Sequence, residues 1–345
     1  MYKRQLLDWL LALTGIWCWK EGKRNTGRTR KTEEKEGEEN REMGRKVNSL
    51  GHLAALFTIF VWGTTFIFTK LLLQDFLPIE ILVFRFVLGF IILLFLYPHR
   101  LKGTSLGQEA VFAGAGLCGV CLYYLLENIA LTYTLASNVG VIISVAPFFT
   151  ALLSRFFLEK ERLGFNFFLG FGIAMAGICL ISFWGSPMQL NPFGDFLAFA
   201  AAFVWALYSI LTRKISSYGY HTVQTTRRVF AYGILFMIPA ALCFDFHLGL
   251  ERFQKPEYVL NLLFLGVGAS ALCFVTWGFA VKALGAVKTS VYIYMVPVIT
   301  IITSVLVLHE ELTWVSGLGI ILTLVGLFLS EKKWDIKGKR GRDVK

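Results

Sequence analysis

Arg85 and Glu127 are ionisable residues inside apolar stretches long enough to cross a bilayer. A charged side chain at that depth costs about 2.5–3.5 kcal/mol on insertion scales, so it must face a partner or a wet cavity. We expect Arg85 to hold a carboxylate or phosphate through its two terminal nitrogens, or else to tie to a loop carbonyl or to Glu80. We expect Glu127 to bind and release a proton, or else to pair with Arg85 or reach the outer headgroups.

Seven further side chains, six of them aromatic, are predicted to line a cavity beside these two residues. An aromatic cavity with a few polar groups is typical of sites for small molecules. Taken singly, such residues also pack inside membrane proteins or anchor helices at the membrane interface. The seven are Trp62, Thr65, Tyr123, Trp205, Tyr208, Trp277 and Tyr292.

Two prolines, Pro147 and Pro297, fall well inside apolar stretches. Each removes one backbone hydrogen bond and kinks its helix. The carbonyl freed by a proline is tolerated only beside protein or water. We therefore predict that both prolines act as hinges.

Residue patterns of enzymes and metal sites are missing from the sequence. Cys118 and Cys121 form one C-x-x-C pair, but no second pair or nearby histidine completes a zinc site. There is no G-x-S-x-G, no H-E-x-x-H and no phosphate-binding P-loop. We therefore expect no enzyme activity, no metal and no cofactor.

The composition predicts a membrane protein whose apolar stretches cross the bilayer. Of 345 residues, 56% are hydrophobic and 17% are charged, against roughly 25% charged residues in a soluble domain. We predict an all-α polytopic membrane protein with ten transmembrane helices. Their approximate bounds are 51–73, 77–97, 109–130, 134–157, 165–184, 195–214, 226–246, 258–280, 285–308 and 313–330.

The distribution of Lys and Arg predicts the orientation. The net charge is +11, and the basic residues concentrate in the tails and in alternate connections. With the N-terminus inside, the outward connections carry only Arg252 and Lys255. The excess of basic residues on the other side places both termini in the cytoplasm. We expect the basic tails to contact anionic lipid rather than nucleic acid, and the oligomeric state stays open.

The first 49 residues differ from the rest of the chain. Their dense mixed charge predicts a disordered cytoplasmic segment. An apolar stretch at Leu6–Trp19 is short for a membrane span, so an interfacial helix with a flexible tether is one interpretation. The other interpretation is that translation starts at Met43, just ahead of the first clean span.

The sequence contains an internal repeat that joins its two halves. Five spans per half is an odd number, so the second half must enter the membrane from the opposite side, as in an inverted-topology repeat. The predicted divisions are 1–49, 50–184 (first repeat), 185–331 (second repeat) and 332–345 (basic tail). The matched residues are Trp62 with Trp205, Arg85 with Arg228, Pro147 with Pro297, Gly170 with Gly319 and Gly177 with Gly326.

Around these residues the chain resembles the EamA family of ten-helix permeases in the drug/metabolite transporter superfamily. The resemblance covers roughly residues 50–331. It rests on the segments Trp62–Phe66, Glu127–Leu131, Leu158–Leu163, Gly194–Asp195 and Leu308–Glu310, together with Arg85, Pro147, Trp205, Tyr208 and Pro297. It implies a two-repeat metabolite carrier, often an exporter, in a bacterial inner membrane.

The function that we expect is secondary transport of small metabolites, such as amino acids or their derivatives, by alternating access. Proton coupling through Glu127 is one option within this expectation. Two alternatives stay open. One is a membrane sensor or assembly subunit that binds without translocating, and the other is an exchanger of sugar phosphates or nucleotide sugars.

Labelling of single cysteines tests the predicted topology. We expect cysteines in both tails to react from the cytoplasm, and one near Pro187 to react from the outside. An external C-terminus would contradict the ten-helix arrangement.

Overall fold

The computed structural model describes residues 30–134, 136–158, 164–185, 191–244, 246–308 and 314–331, and all the regular secondary structure in these ranges is helical. A π-helical stretch interrupts α3 and another interrupts α9. The helices are α1 Arg30–Leu72, α2 Pro78–Leu96, α3 Leu106–Tyr133, α4 Ala136–Ile143, α5 Ala146–Phe157, α6 Phe165–Gly185, α7 Pro192–Ser216, α8 Thr222–Cys243, α9 Pro256–Leu284, α10 Ala286–Val291, α11 Met295–Leu308 and α12 Trp314–Glu331.

Seven helical stretches in the described ranges are long and apolar enough to cross a membrane, and they correspond to α1, α2, α3, α4–α5, α7, α8 and α9. Three shorter apolar stretches, Phe165–Leu180, Ala286–Thr300 and Gly317–Ser330, fall in the remaining predicted spans. The protein is therefore an all-helical, multi-pass membrane protein, as the sequence predicted. The count of ten crossings stays a prediction.

Helix α1 extends well beyond its apolar part. It begins at Arg30, so residues 30–49 are helical where the sequence predicted a disordered segment. Opposite charges four residues apart stabilise such a helix, and Glu42 and Lys46 form one such pair at 3.6 Å. The interpretations of Leu6–Trp19 concern residues outside the described ranges.

Irregular helix geometry occurs at repeat-related places. The π-helical stretch Leu117–Leu122 lies in α3, and Phe264–Leu272 lies at the corresponding place in α9. A turn at residues 144–145 separates α4 from α5, and the 3₁₀ turn Tyr292–Tyr294 separates α10 from α11. Such interruptions often mark functional places in helical proteins.

Contacts between helices also occur in repeat-related couples. Helix α1 packs on α9 as α7 packs on α3, and α1 packs on α11 as α7 packs on α5. Likewise α2 contacts α9 as α8 contacts α3. The corresponding helices α2 and α8 contact each other, as do α6 and α12. The two halves therefore use the same surfaces against one another.

Helices α6 and α12 meet along a seam of glycines. Gly170 lies against Gly326, and Gly177 lies against Gly319 and Thr323, so the two helices run antiparallel. A Cβ atom at Gly177 would lie 2.6 Å from the Gly319 carbonyl oxygen and 2.6 Å from the Thr323 nitrogen. Small residues of this kind allow helix backbones to approach closely in a membrane.

Basic residues of several connections lie at one end of the bundle, which we call the basic end. There the Arg227 guanidinium donates to the carbonyls of Tyr97 and His99, and Gln224 donates to the carbonyl of His99 at 3.2 Å. The Arg213 guanidinium donates to the last carbonyls of α9, those of Val281 and Lys282. These bonds tie residues 97–99 to the start of α8 and the end of α7 to the end of α9.

The opposite end is held by ion pairs. Arg252 makes two bonds to the Glu80 carboxylate, at 2.6 and 3.1 Å, and Lys255 donates to Asp75 at 2.9 Å. Hydrogen bonds from Tyr258 and Lys255 lower the pKa of the Asp75 carboxyl. Arg252 and Lys255 are therefore each paired with a carboxylate.

Gly177→Ala tests the glycine seam. The added methyl group meets backbone atoms that cannot move alone, so we expect a destabilisation of about 1–3 kcal/mol, the usual cost of overpacking, and a lower melting temperature in detergent. Gly172→Ala is the matched control on the same helix, because a Cβ atom there has no neighbour within 4 Å. Equal melting temperatures for the two variants would contradict the close approach of α6 and α12.

Candidate functional site

A cavity with about 400 Å³ of atom-free space lies where α1, α3, α4, α7 and the break between α10 and α11 converge. We call it the central cavity. Both halves of the chain contribute to it. Its lining consists of Ile59, Trp62, Thr65, Phe66, Tyr123, Tyr124, Glu127, Ile143, Trp205, Ile293 and Val296.

Helix α1 presents one face to the central cavity, because Ile59, Trp62 and Phe66 follow the spacing of residues on one side of a helix. Two bonds fix this face. The Trp62 indole donates to the Ala269 carbonyl in the π-helical part of α9 at 2.9 Å. The Thr300 hydroxyl of α11 donates to the backbone carbonyl of Gly63 at 2.9 Å.

Six aromatic rings pack against one another beneath the central cavity, in edge-to-face and tilted pairs, and form what we call the aromatic layer. Trp62 and Trp205, the repeat-related pair, meet at 5.1 Å between ring centroids with an interplanar angle of 86°. Aromatic pairs in this geometry are stabilised beyond their buried area. The layer consists of Trp62, Tyr123, Trp205, Tyr208, Phe274 and Trp277.

Glu127 is the acidic residue of the central cavity, and the lining contains no Lys or Arg. Its side chain is 2% exposed, and its Oε2 atom has no hydrogen-bond partner in the described part of the protein. Tyr123 and Tyr124 lie one turn away on the same helix and line the same wall. A lone carboxylate among electron-rich ring faces is an environment that attracts a cationic group.

Arg85 lies outside the lining of the central cavity, behind Tyr124. Its guanidinium carbon is 4.2 Å from the centre of the Tyr124 ring, and its Nε donates to the Ser270 hydroxyl at 3.0 Å. Both terminal nitrogens are buried, and neither has a hydrogen-bond partner among the residues that the structure describes. Glu80, offered as an alternative partner, bonds Arg252 instead. One tyrosine ring therefore separates two unpaired donors from the cavity.

Apart from Arg85, the sequence predicted eight residues for the substrate site and proton coupling. Five of these eight line the central cavity, and the other three lie elsewhere. In the central cavity are Trp62, Thr65, Tyr123, Glu127 and Trp205. Tyr208 lines a separate cavity at the basic end. Trp277 is fully buried behind Trp62, at 5.2 Å between ring centroids. The Tyr292 hydroxyl bonds the His52 ring, and its neighbour Ile293 reaches the cavity in its place.

Pro147 and Pro297 do not lie inside continuous helices, which corrects the sequence prediction. Pro147 is the second residue of α5, directly after a break, and Pro297 lies in the first turn of α11 directly after another. In an unbroken helix the residue at each of these positions would donate its backbone N–H to the carbonyl of Ile143 or Ile293, and proline has no N–H to donate. Both of those residues line the central cavity.

The apolar lining residues were missed by the sequence reasoning. The helical spacing of Ile59 and Phe66 from Trp62 could have predicted that they line the cavity. The place of Tyr124 beside Tyr123 could have predicted the same for Tyr124. Ile143, Ile293 and Val296 carry no such signal, because the helix breaks that orient them depend on tertiary contacts. In the described residues, no group of three or more His, Cys, Asp or Glu side chains is arranged to hold a metal ion.

Comparison with known proteins decides the family. The profile of the EamA-like transporter family matches residues 49–183 and again residues 192–331. The chain belongs to the EamA-like transporter family. Each half of the chain carries one match, so most of the sequence is accounted for.

Relatives of this EamA protein are described as transporters. It is 30% identical over 293 residues to an uncharacterized transporter of Archaeoglobus fulgidus, covering 83% of this chain and 99% of the relative. It is 28% identical over 278 residues to the uncharacterized transporter YyaM of Bacillus subtilis, covering 79% and 90%. A solved crystal structure with 18% identity and a TM-score of 0.63 covers 83% of this chain and 98% of its own, and it shows the same fold.

Glu127→Gln tests the central cavity as a site for a cationic group. We expect binding of L-leucinamide, which has an amine and no carboxylate, to weaken about tenfold, because a charge-assisted hydrogen bond contributes about 1.5–3 kcal/mol. Titration of the purified protein in lipid nanodiscs measures the affinity. Glu109→Gln is the matched control on the same helix, since Glu109 bonds Arg228 at 3.2 Å and lies outside the lining. Equal losses in both variants would contradict the assignment.

Proposed function

We propose that this protein is a secondary-active transporter that exports small metabolites, amino acids or related compounds, by alternating access. The observation that carries the proposal is the central cavity, which both halves build from aromatic rings around one buried carboxylate. An amine near Glu127, with an apolar group against the rings of Trp62 and Trp205, matches its lining.

The proposed architecture is ten membrane crossings arranged as two inverted five-helix repeats. Repeat-related helix contacts, the paired π-helical stretches and the antiparallel α6 and α12 support it. In such proteins the substrate site lies near the midplane between the halves. Two halves with the same internal pattern exchange conformations, so that the cavity faces one side and then the other.

The proposed location is the plasma membrane, a bacterial inner membrane, with the basic end and both termini in the cytoplasm. Basic residues concentrate in the connections of that end, in agreement with the positive-inside rule. Arg252 and Lys255 are the exceptions in the connections of the opposite end. Because they bond Glu80 and Asp75, their charges are compensated. We also propose that the basic tails bind anionic lipid.

In the proposed cycle the two halves rock about the aromatic layer. The helix breaks before Pro147 and Pro297 are the proposed hinges, since a break allows one part of a span to tilt without the other. Glu127 is the proposed proton-coupling group, and it exchanges its proton for a cationic substrate group. Rotation of Tyr124 brings the Arg85 guanidinium into reach of a substrate carboxylate.

The two alternative functions have less support. A sensor or assembly subunit needs no repeat-related pair of helix breaks beside its cavity. An exchanger of sugar phosphates or nucleotide sugars needs several cations to hold phosphate, whereas the central cavity has none in its lining. Neither alternative accounts for a lone carboxylate among aromatic rings.

Mass spectrometry of cytosol and medium from cells that overproduce the protein tests the proposal. We expect a small set of amines or amino acids to accumulate in the medium with the intact protein and to stay at background with Arg85→Met. Replacement of a buried charge by an apolar group of similar size is often neutral or stabilising. The melting temperature of Arg85→Met is therefore expected to be unchanged or higher.

Two results would count against this prediction. Unchanged export by Arg85→Met, together with a melting temperature several degrees lower, would assign Arg85 to structure alone. If the metabolite content of the medium is the same with and without the overproduced protein in several nutrient conditions, export is refuted. Uptake or sensing would then be the function to test.

A further inference from the structure

A second cavity, with about 420 Å³ of atom-free space, lies at the basic end between α7, α8 and α9. We call it the basic-end cavity. Tyr208 and Phe274 of the aromatic layer form part of its wall, so it lies next to the layer that also borders the central cavity. Its lining contains no acidic residue. The polar groups that matter for its chemistry are those of Thr212, Ser216, Thr222, Thr225, Thr226 and Lys282.

Two of these hydroxyl groups are available to a ligand. Thr222 and Thr226 are 9% and 7% exposed, and their hydroxyls donate to no protein atom in the part of the chain that the structure describes. The hydroxyls of Thr225 and Ser216 instead bond carbonyls of their own helices, at 2.8 and 2.6 Å. Buried polar groups in proteins are nearly always hydrogen-bonded. Hydroxyl groups left over in a cavity wall therefore indicate a bound polar group.

The surrounding charges favour an anion. Helix α8 has 22 residues and begins at Thr222, so Thr222 and Thr226 lie in its first two turns, where the helix dipole is positive. Backbone N–H groups at a helix N-terminus bind carboxylates and phosphates. Lys282 adds a full positive charge from the last turn of α9. Arg213 fixes that turn by bonding the Val281 and Lys282 carbonyls at 3.2 Å.

We infer that the basic-end cavity is a second substrate site, which binds the carboxylate end of the substrate before it passes the aromatic layer. The two cavities have opposite chemistry, with one carboxylate and no cation in the central lining, and one cation and no carboxylate here. A molecule with both an ammonium and a carboxylate group has a partner on each side of the layer. The substrate identity rests on the proposed function, whereas the anion site rests on the geometry alone.

Binding of N-acetyl-L-leucine, which has a carboxylate and no amine, tests this inference on the full chain in lipid nanodiscs. We expect Lys282→Met to weaken its affinity about tenfold and Thr226→Val about threefold, in line with the values for charged and neutral hydrogen bonds. Lys214→Met is the matched control, because Lys214 is also exposed at the basic end but lies outside the lining. We expect the control to bind as the unchanged protein does.

A second experiment measures whether bound N-acetyl-L-leucine protects the Lys282 side chain from chemical modification. Saturating N-acetyl-L-leucine is expected to slow acetylation of Lys282 by an amine-reactive reagent, as measured by mass spectrometry of peptides, and to leave Lys214 unaffected. Equal loss of affinity in Lys282→Met and Lys214→Met would overturn the inference, since it would show attraction by surface charge only. Absence of binding to the unchanged protein would overturn it as well.

The outcomes separate this inference from the proposed function. If the protein moves no amino acid in cells but binds N-acetyl-L-leucine through Lys282, the proposed substrate class fails and the anion site stands. If amino acids are exported and Lys282→Met alters neither binding nor protection, the proposed function stands and the second site fails.

Discussion

A chain inside a bilayer has no water to satisfy its backbone, and this constraint governs every later feature of the protein. It forces the apolar stretches into helices, and it allows irregular backbone only where protein or a cavity covers it. The breaks before Pro147 and Pro297 and the two π-helical stretches are such exceptions. In the break before Pro297, Ile293 lines the central cavity, and in the π-helical stretch of α9 the Ala269 carbonyl accepts the bond that orients Trp62. Ile143, which also lines the central cavity, directly precedes the break before Pro147.

The same constraint makes each buried polar group informative. Most of those in the bundle have a specific partner: Glu80 bonds Arg252, Arg213 bonds carbonyls of α9, and Trp62 bonds Ala269. Among the described residues, some buried polar atoms have no hydrogen-bond partner. They include the terminal nitrogens of Arg85 and one carboxylate oxygen of Glu127, and burial of an unpartnered charged group costs the most free energy. Groups of this kind are retained where a substrate or proton completes them, which is why the proposed mechanism is built on them.

The aromatic layer gives the two cavities separate roles. Trp62 and Trp205, supplied by corresponding positions of the two halves, meet edge to face at its centre. In the proposed cycle a substrate passes these rings when the two halves move relative to one another. In the same proposal, Glu127 on one side of the layer and Lys282 on the other bind the two ends of one zwitterionic molecule in turn.

Composition and hydropathy determined the membrane class without coordinates, because hydropathy is a local property of a sequence. The family was indicated by the resemblance of particular segments, such as Trp62–Phe66 and Glu127–Leu131, to those of known permeases. The sequence also identified Trp62, Thr65, Tyr123, Glu127 and Trp205, since polar and aromatic residues in an apolar stretch are conspicuous. Only the tertiary structure decided that Arg85 lies behind Tyr124, that Trp277 is core, and that Tyr292 bonds His52. The direction in which a side chain points depends on which helices pack against it and where they break. Those contacts join residues on different helices, such as His52 and Tyr292, which lie 240 positions apart, and no local pattern specifies them.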